Sequence, residues 1–337
     1  MDPIAFPLLV ALIGVALLFD ALNGMHDAAN SIATVVATRV MRPLTAVVWA
    51  AFFNFIAFLF FGVGVAKTVG SGIISPDVID PAVIFGALTG AIIWNILTWL
   101  WGMPSSSSHA LIGGLVGAGT AKAGVSGIVW SGFLKTVAGI VLSPTVGLLI
   151  ALTLMLFIAW TFRRVAAGTA DKLFRPLQLV SSALYSLGHG ANDAQKTMGI
   201  IAVLLYSQGM LVNEAGDTAF HIPFWVVITC QAAMGIGTLL GGWRIVKTMG
   251  SKITKLSQQQ GFCAATSGAV ALFMATGMGV PVSTTQTIAG SIVGVGAARS
   301  AGAVRWSVAR DILITWVVTI PASGSIGALT YLLTRAF

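Results

Sequence analysis

A chain of 337 residues that is 57% hydrophobic and only 8% charged is not a soluble domain, in which about a quarter of the residues carry charge. Apolar runs this long cross lipid as helices, because the bilayer offers no other way to satisfy their backbone. The net charge of +8 does not point to nucleic acid, since the Lys and Arg lie mostly between the apolar runs, where they set orientation.

In chain order, apolar segments run over 4–22, 28–38, 44–66, 82–103, 110–121 and 128–162. The first is expected to be a retained span, because it lacks the basic flank of a signal peptide. A basic joint follows, from Arg163 and Arg164 through Lys172 and Arg175. Further segments cover 177–187, 197–206, 222–246, 262–280, 287–298 and 305–334. The second set echoes the first. Pro104 and Pro281, Asn54 and Gln231, Pro144 and Pro321 all match at an offset of 177 positions, and Asp27 and Asp193 match at 166. The extra loop Ser207 to Asp217 accounts for the change of offset. Two repeats are therefore expected, 1–162 and 177–337, joined by a basic cytoplasmic linker at 163–176. The two cysteines, Cys230 and Cys263, fall in apolar segments and read as packing residues.

Loop charges give relative orientation. Arg39 and Arg42 mark a cytoplasmic loop, whereas the matching stretch Ser207 to His221 has no Lys or Arg and carries Glu214 and Asp217. The loop Lys67 to Asp80 has one Lys and two Asp, and its counterpart has Arg244, Lys247, Lys252 and Lys255. Matched segments facing opposite ways are the sign of inverted repeats. The expected fold is all-α and polytopic, with interrupted helices or re-entrant hairpins and roughly 10–12 membrane segments.

Ionisable residues at bilayer depth are costly and so are functional candidates. Asp20, Asn23, Asp27 and Asn30 form one stripe if they share a helix. His26 lies among them, and Gly24 is expected to break the helix and free carbonyl oxygens. The second cluster holds His189, Asn192, Asp193 and Lys196, again with glycines. Oxygen-rich sites of this kind suit Na+ or a proton. Lys196 either pairs with Asp193 or offsets an anionic substrate, and Asp20 either caps or faces an interface. Lys135, Arg310 and Asp311 read as a structural ion-pair network.

Two polar tips interrupt apolar arms: Pro104-Ser105-Ser106-Ser107-Ser108-His109 and Pro281-Val282-Ser283-Thr284-Thr285-Gln286. Each reads as a helix start, with proline in the first turn and Ser or Thr as cap. A helix N-terminus carries about half a positive charge and binds anions. Two such ends converging inside the membrane would hold a small tetrahedral oxyanion through hydroxyls and backbone N–H groups. A rival reading is an intramembrane hydrolase with a nucleophile among Ser105 to Ser108 and His109 as base. A further rival is an anion channel.

The wording Gly24-Met25-His26-Asp27-Ala28-Ala29-Asn30 and Gly190-Ala191-Asn192-Asp193-Ala194-Gln195-Lys196 resembles the paired G-A-N-D-x-A-N signatures of the inorganic phosphate transporter (PiT) family, in particular its bacterial low-affinity members. The resemblance covers nearly the whole chain. It implies a non-enzymatic, multi-pass carrier of the cell membrane. This carrier takes up inorganic phosphate, free or as a metal complex, by cation symport. No cofactor and no nucleic acid are implied, and a homodimer is. Sulfate is the alternative substrate. Carried over residue by residue, Asp27, Asn30, Asn192 and Asp193 are the cation ligands, and Na+ is an option there. Asn23 and His26 stand beside them. Ser105, Ser106, Ser107, Ser108, Ser283, Thr284 and Thr285 hold phosphate, with His109, Gln286, His189, Lys196 and Asp20 as auxiliaries. The chain departs from the signature at His26 and Lys196, where the family has Asn. Both changes remove a neutral oxygen ligand, and protons are favoured over Na+ as the coupling ion.

Overall fold

The computed structural model describes residues 4–211 and 220–336. Glu214 and Asp217 lie outside the described residues. Twelve α-helices follow one another, and no named strand occurs among the described residues. They are α1 (Phe6–Ala37), α2 (Pro43–Ile56), α3 (Gly64–Gly72), α4 (Pro81–Trp101), α5 (Ser107–Ala123), α6 (Trp130–Thr161), α7 (Ala167–Ser207), α8 (Phe224–Leu240), α9 (Trp243–Lys247), α10 (Gln258–Gly277), α11 (Thr284–Arg299) and α12 (Trp306–Ala336).

Helices α1, α4, α6 and α12 are each long and apolar enough to cross a bilayer. Two shorter pairs are apolar enough when taken together and are sharply bent, as in a broken span or a re-entrant loop: Pro43–Leu59 with Gly64–Gly70 at 85°, and Phe224–Leu240 with Trp243–Lys252 at 63°. The bends fall at corresponding places in the two halves of the sequence. The stretch Lys67 to Asp80, expected as a loop, begins inside helix α3, which runs to Gly72. The basic joint is non-helical only up to Ala166, so Lys172 and Arg175 ride on the first turns of α7. A helix this long needs no separate linker, because Pro176 is tolerated inside it.

The remaining helices form two hairpins, α4–α5 and α10–α11. Helix α5 packs on α12 and α4, and α11 packs on α6 and α10. Each hairpin is thus gripped by the long helix that ends the other half of the chain. Small residues make this possible: a Cβ on Gly117 of α5 would sit 2.0 Å from the Gly324 carbonyl oxygen of α12. Membrane helices pack through such close backbone approach, because lipid offers no hydrophobic gain on association. Pro144 in α6 and Pro321 in α12 occupy matched positions inside their helices. Leu149 and Phe157 of α6 and Leu329 of α12 face outward, as lipid-facing residues do.

One expectation fails here. Gly24 and Gly190 do not interrupt their helices, since α1 and α7 run unbroken through both. They serve contact instead. A Cβ on Gly24 would lie 2.2 Å from Met234 O, and one on Gly190 would lie 2.4 Å from Asn54 O. No carbonyl oxygens are freed there, so the polar cluster consists of side chains and hairpin backbone. The segments 28–38 and 197–206 are likewise continuations of α1 and α7, not separate elements. Arg310 and Asp311 pair with each other at 3.6 Å on an exposed face, and Lys135 is exposed on α6. Cys230 and Cys263 are buried as free thiols.

Candidate functional site

Asp20, Asn23, Asp27 and Asn30 share one face of the unbroken α1, and all four are buried. That rules out capping for Asp20, which sits in mid-helix. On α7, Tyr185, His189, Asn192, Asp193 and Lys196 are buried in the same way. The close helix contacts bring the two stripes together. Ligand atoms of Asp27, His189 and Asp193 all lie within 4.8 Å of one another, a set that could hold a cation.

Both hairpin tips close on this cluster. Ser106 caps α5 by accepting the His109 N–H at 3.3 Å, and Ser283 caps α11 by accepting the Gln286 N–H at 3.2 Å. The caps are those expected from sequence, but the prolines are not in the first turn. Pro104 and Pro281 stand two residues before the caps, in extended chain. A capping residue keeps non-helical dihedrals, so each helix begins only after its serine. The N–H groups of Ser107, Ser108, Thr284 and Thr285 belong to first turns, which have no intrahelical acceptor. The tips also touch each other: Gln286 Nε2 lies 3.4 Å from His109 Nδ1.

At the Asp27 end, Ser107 Oγ lies 3.0 Å from Asp27 Oδ2 and 2.5 Å from Asn23 Oδ1. Thr285 Oγ1 donates to Asp27 Oδ1 at 3.2 Å. One hydroxyl from each hairpin therefore meets a single carboxylate. Asn30 Nδ2 donates to Thr285 Oγ1 at 2.9 Å, and Asn30 Oδ1 has no partner. His26 Nδ1 lies 2.9 Å from Asp27 Oδ1, and its Nε2 lies 3.1 Å from Thr98 Oγ1. The Thr98 hydroxyl donates to Trp94 O at 3.0 Å, so its oxygen accepts from Nε2. The Nδ1 contact then requires a hydrogen from either the ring or the carboxyl. His26 and Asp27 thus stand within proton-exchange distance of each other.

At the Asp193 end, Thr284 Oγ1 donates to Asp193 Oδ2 at 2.9 Å, and His189 Nε2 lies 3.3 Å from the same oxygen. His189 Nδ1 faces Asn54 Oδ1 at 3.1 Å. Lys196 Nζ forms a buried ion pair with Asp193 Oδ1, as one of the two sequence readings has it. It also donates to Ser108 Oγ at 2.5 Å and Val282 O at 2.7 Å.

Several site residues behave differently from the expectation. Asn192 uses its amide on the hairpin: Nδ2 donates to Thr276 Oγ1 at 3.0 Å and Oδ1 accepts from Val282 N at 3.3 Å. It therefore holds the segment leading into α11. Ser105 faces Thr319 at 3.0 Å, outside the cluster. The hydroxyls of Ser107, Thr284 and Thr285 meet carboxylates. Asp20 is fully buried, with the Asn23 amide and the Thr197 hydroxyl as its polar neighbours. The sequence reading missed Tyr185, whose OH donates to Thr284 O at 2.9 Å, along with Thr98 and Thr276. The i, i+4 spacing of Tyr185 and His189 was the available signal.

Buried carboxylates meeting two capped hairpin tips inside a largely apolar helical fold define a membrane transporter. The comparisons with known proteins narrow this. The model of the phosphate transporter family matches residues 23–327. A probable low-affinity inorganic phosphate transporter of Rhizobium meliloti is 66% identical over 97% of each chain. One of Bacillus subtilis is 43% identical over 94% of each. A solved structure described as "The sodium-dependent phosphate transporter" covers 98% of this chain and 100% of its own, with a TM-score of 0.86 at 24% identity, and so shares the fold. The chain belongs to the phosphate transporter family. Membership sets aside the hydrolase reading.

Proposed function

We propose that this protein takes up inorganic phosphate across the cell membrane by cation symport, with a proton on the His26–Asp27 pair as the coupling ion. Phosphate would lie between the tips of α5 and α11, held by the hydroxyls of Ser107, Ser108, Thr284 and Thr285 and by first-turn N–H groups. The observation that carries this reading is that Ser107 and Thr285, one from each hairpin, meet on Asp27. The same hydroxyls thus border both the carboxylate and the expected anion position. A carboxylate that has taken up its cation attracts these O–H groups less, which leaves them to the anion. Binding of one ion then favours binding of the other.

Coupling is needed on energetic grounds. An inside-negative potential opposes anion entry by about 2.3 kcal/mol per charge per 100 mV. The two halves of the chain are read as inverted repeats that alternate access by moving one bundle against the other. Sodium is the second reading, because the structural neighbour is named for sodium dependence. Uptake of labelled phosphate into proteoliposomes tests the scheme. An imposed inward proton gradient should accelerate uptake, and a sodium gradient should do so if the second reading holds. If neither gradient changes uptake, symport through Asp27 is wrong.

A further inference from the structure

The two ends of the cluster follow a related plan, with one exchange that changes a fixed charge beside the carboxylate. Asn30 and Lys196 occupy matched positions at the 166 offset, as Asp27 and Asp193 do. Ser107 and Thr284 match at 177, as do Ser108 and Thr285. The contacts follow the same correspondence. Ser107 meets Asp27 while Thr284 meets Asp193. Asn30 donates to Thr285 while Lys196 donates to Ser108. An amide at one end is therefore replaced by an ammonium at the other.

We infer that the Lys196 ammonium is a tethered cation, standing permanently where a second coupling ion would otherwise bind, so that each transport cycle carries one cation fewer. This rests on the symport reading above and adds a count to it. Three observations support it. The oxygens around Nζ are a carboxylate, a hydroxyl and a backbone carbonyl, from Asp193, Ser108 and Val282. That is the hard oxygen set of a small monovalent cation. An ammonium has three N–H donors, and these three acceptors use all of them. None remains to bind phosphate, so Lys196 is not an anion ligand in this arrangement. Finally, the group is 2% exposed, so no water takes the place of these partners. Each end then balances one carboxylate against one positive charge. In the symport reading the charge at Asp27 is the coupling proton, which can leave. At Asp193 it is attached to the chain.

The test exchanges the two residues singly and counts charge. Proteoliposomes containing wild type, Lys196→Asn or Asn30→Lys are held at a set potential, and charge moved per phosphate is measured in proton-only and sodium-containing media. Lys196→Asn should raise the ratio by one positive charge, carried by whichever ion is supplied, and should acquire stimulation of phosphate uptake by Na+. Asn30→Lys should lower the ratio by one. An unchanged ratio in either folded variant overturns the inference and leaves Lys196 as a structural ion pair. Should one variant fail to fold, the other decides the question alone. If the wild type itself moves no phosphate, it is the symport reading that has failed.

Discussion

The Asp27 and Asp193 ends of the cluster face the same problem and resolve it differently. Each buries a carboxylate beside a hydroxyl from a helix tip. At Asp27 the neighbours are an imidazole and an amide, groups that gain and lose protons or turn an oxygen to an ion. At Asp193 there is an imidazole too, His189, but the amide's place is taken by an ammonium with every donor engaged. Removing a charge from water is costly, and a buried pair is secure only while both members are present. The lesson is that near-identical geometry can make one site exchangeable and the other permanent.

The largest expected break in this comparison is in stability. Asp193→Asn leaves a buried ammonium without its counter-charge and should cost about 3–5 kcal/mol. Thermal unfolding in detergent would show it, and Asp193→Asn combined with Lys196→Met should recover most of the loss. Asp27→Asn should unfold close to wild type yet lose gradient-driven phosphate uptake. Equal destabilisation by both single variants would remove the distinction between the ends.

Next come the glycines that let the stripes approach. Gly24→Ala and Gly190→Ala each force a Cβ onto a carbonyl oxygen and should cost about 1–3 kcal/mol, similarly at both ends. A tolerated alanine at one of them would show that its helix contact gives way. Smaller again, Ser107→Ala and Thr284→Val each remove one hydroxyl and should weaken phosphate binding by about fivefold, equivalent to about 1 kcal/mol. Only Ser107→Ala should also alter the proton dependence of binding, because only it touches the Asp27 end. The smallest effect is expected from Asp20→Asn. Its carboxyl is fully buried and forms no salt bridge among the described residues, so the neutral amide should hold stability or raise it by about 1 kcal/mol. A clear loss of stability would reveal a counter-charge for Asp20.

Much of this was legible in the sequence. The offsets of 166 and 177 pair Asp27 with Asp193 and Ser106 with Ser283, and both serines cap their helices. What could not be read was what the glycines do. Gly24 is equally compatible with a broken helix and with a tight crossing, and only the position of α8 decides between them. Asn192 reads as a ligand by type, and its bonds to Val282 and Thr276, which also tie it to the second hairpin, have no local sign in the sequence. Tyr185 and Thr98 act through partners far away in the chain, and nothing local announces such contacts. The destination of the hydroxyls was also hidden, since Ser107 and Thr285 read as anion donors until their distances to Asp27 are known.

The unbroken course of α1 has a mechanical consequence. Its 32 residues span about 48 Å, with the carboxylate well inside the rod. If the rod stays whole through a transport cycle, Asp27 changes its exposure by a swing of the whole helix and not by local uncoiling. In a swinging lever the ends travel far while the region near the pivot barely shifts. Spin labels near Phe6 and Ala37 should therefore report larger distance changes between inward- and outward-open forms than labels flanking the carboxylate.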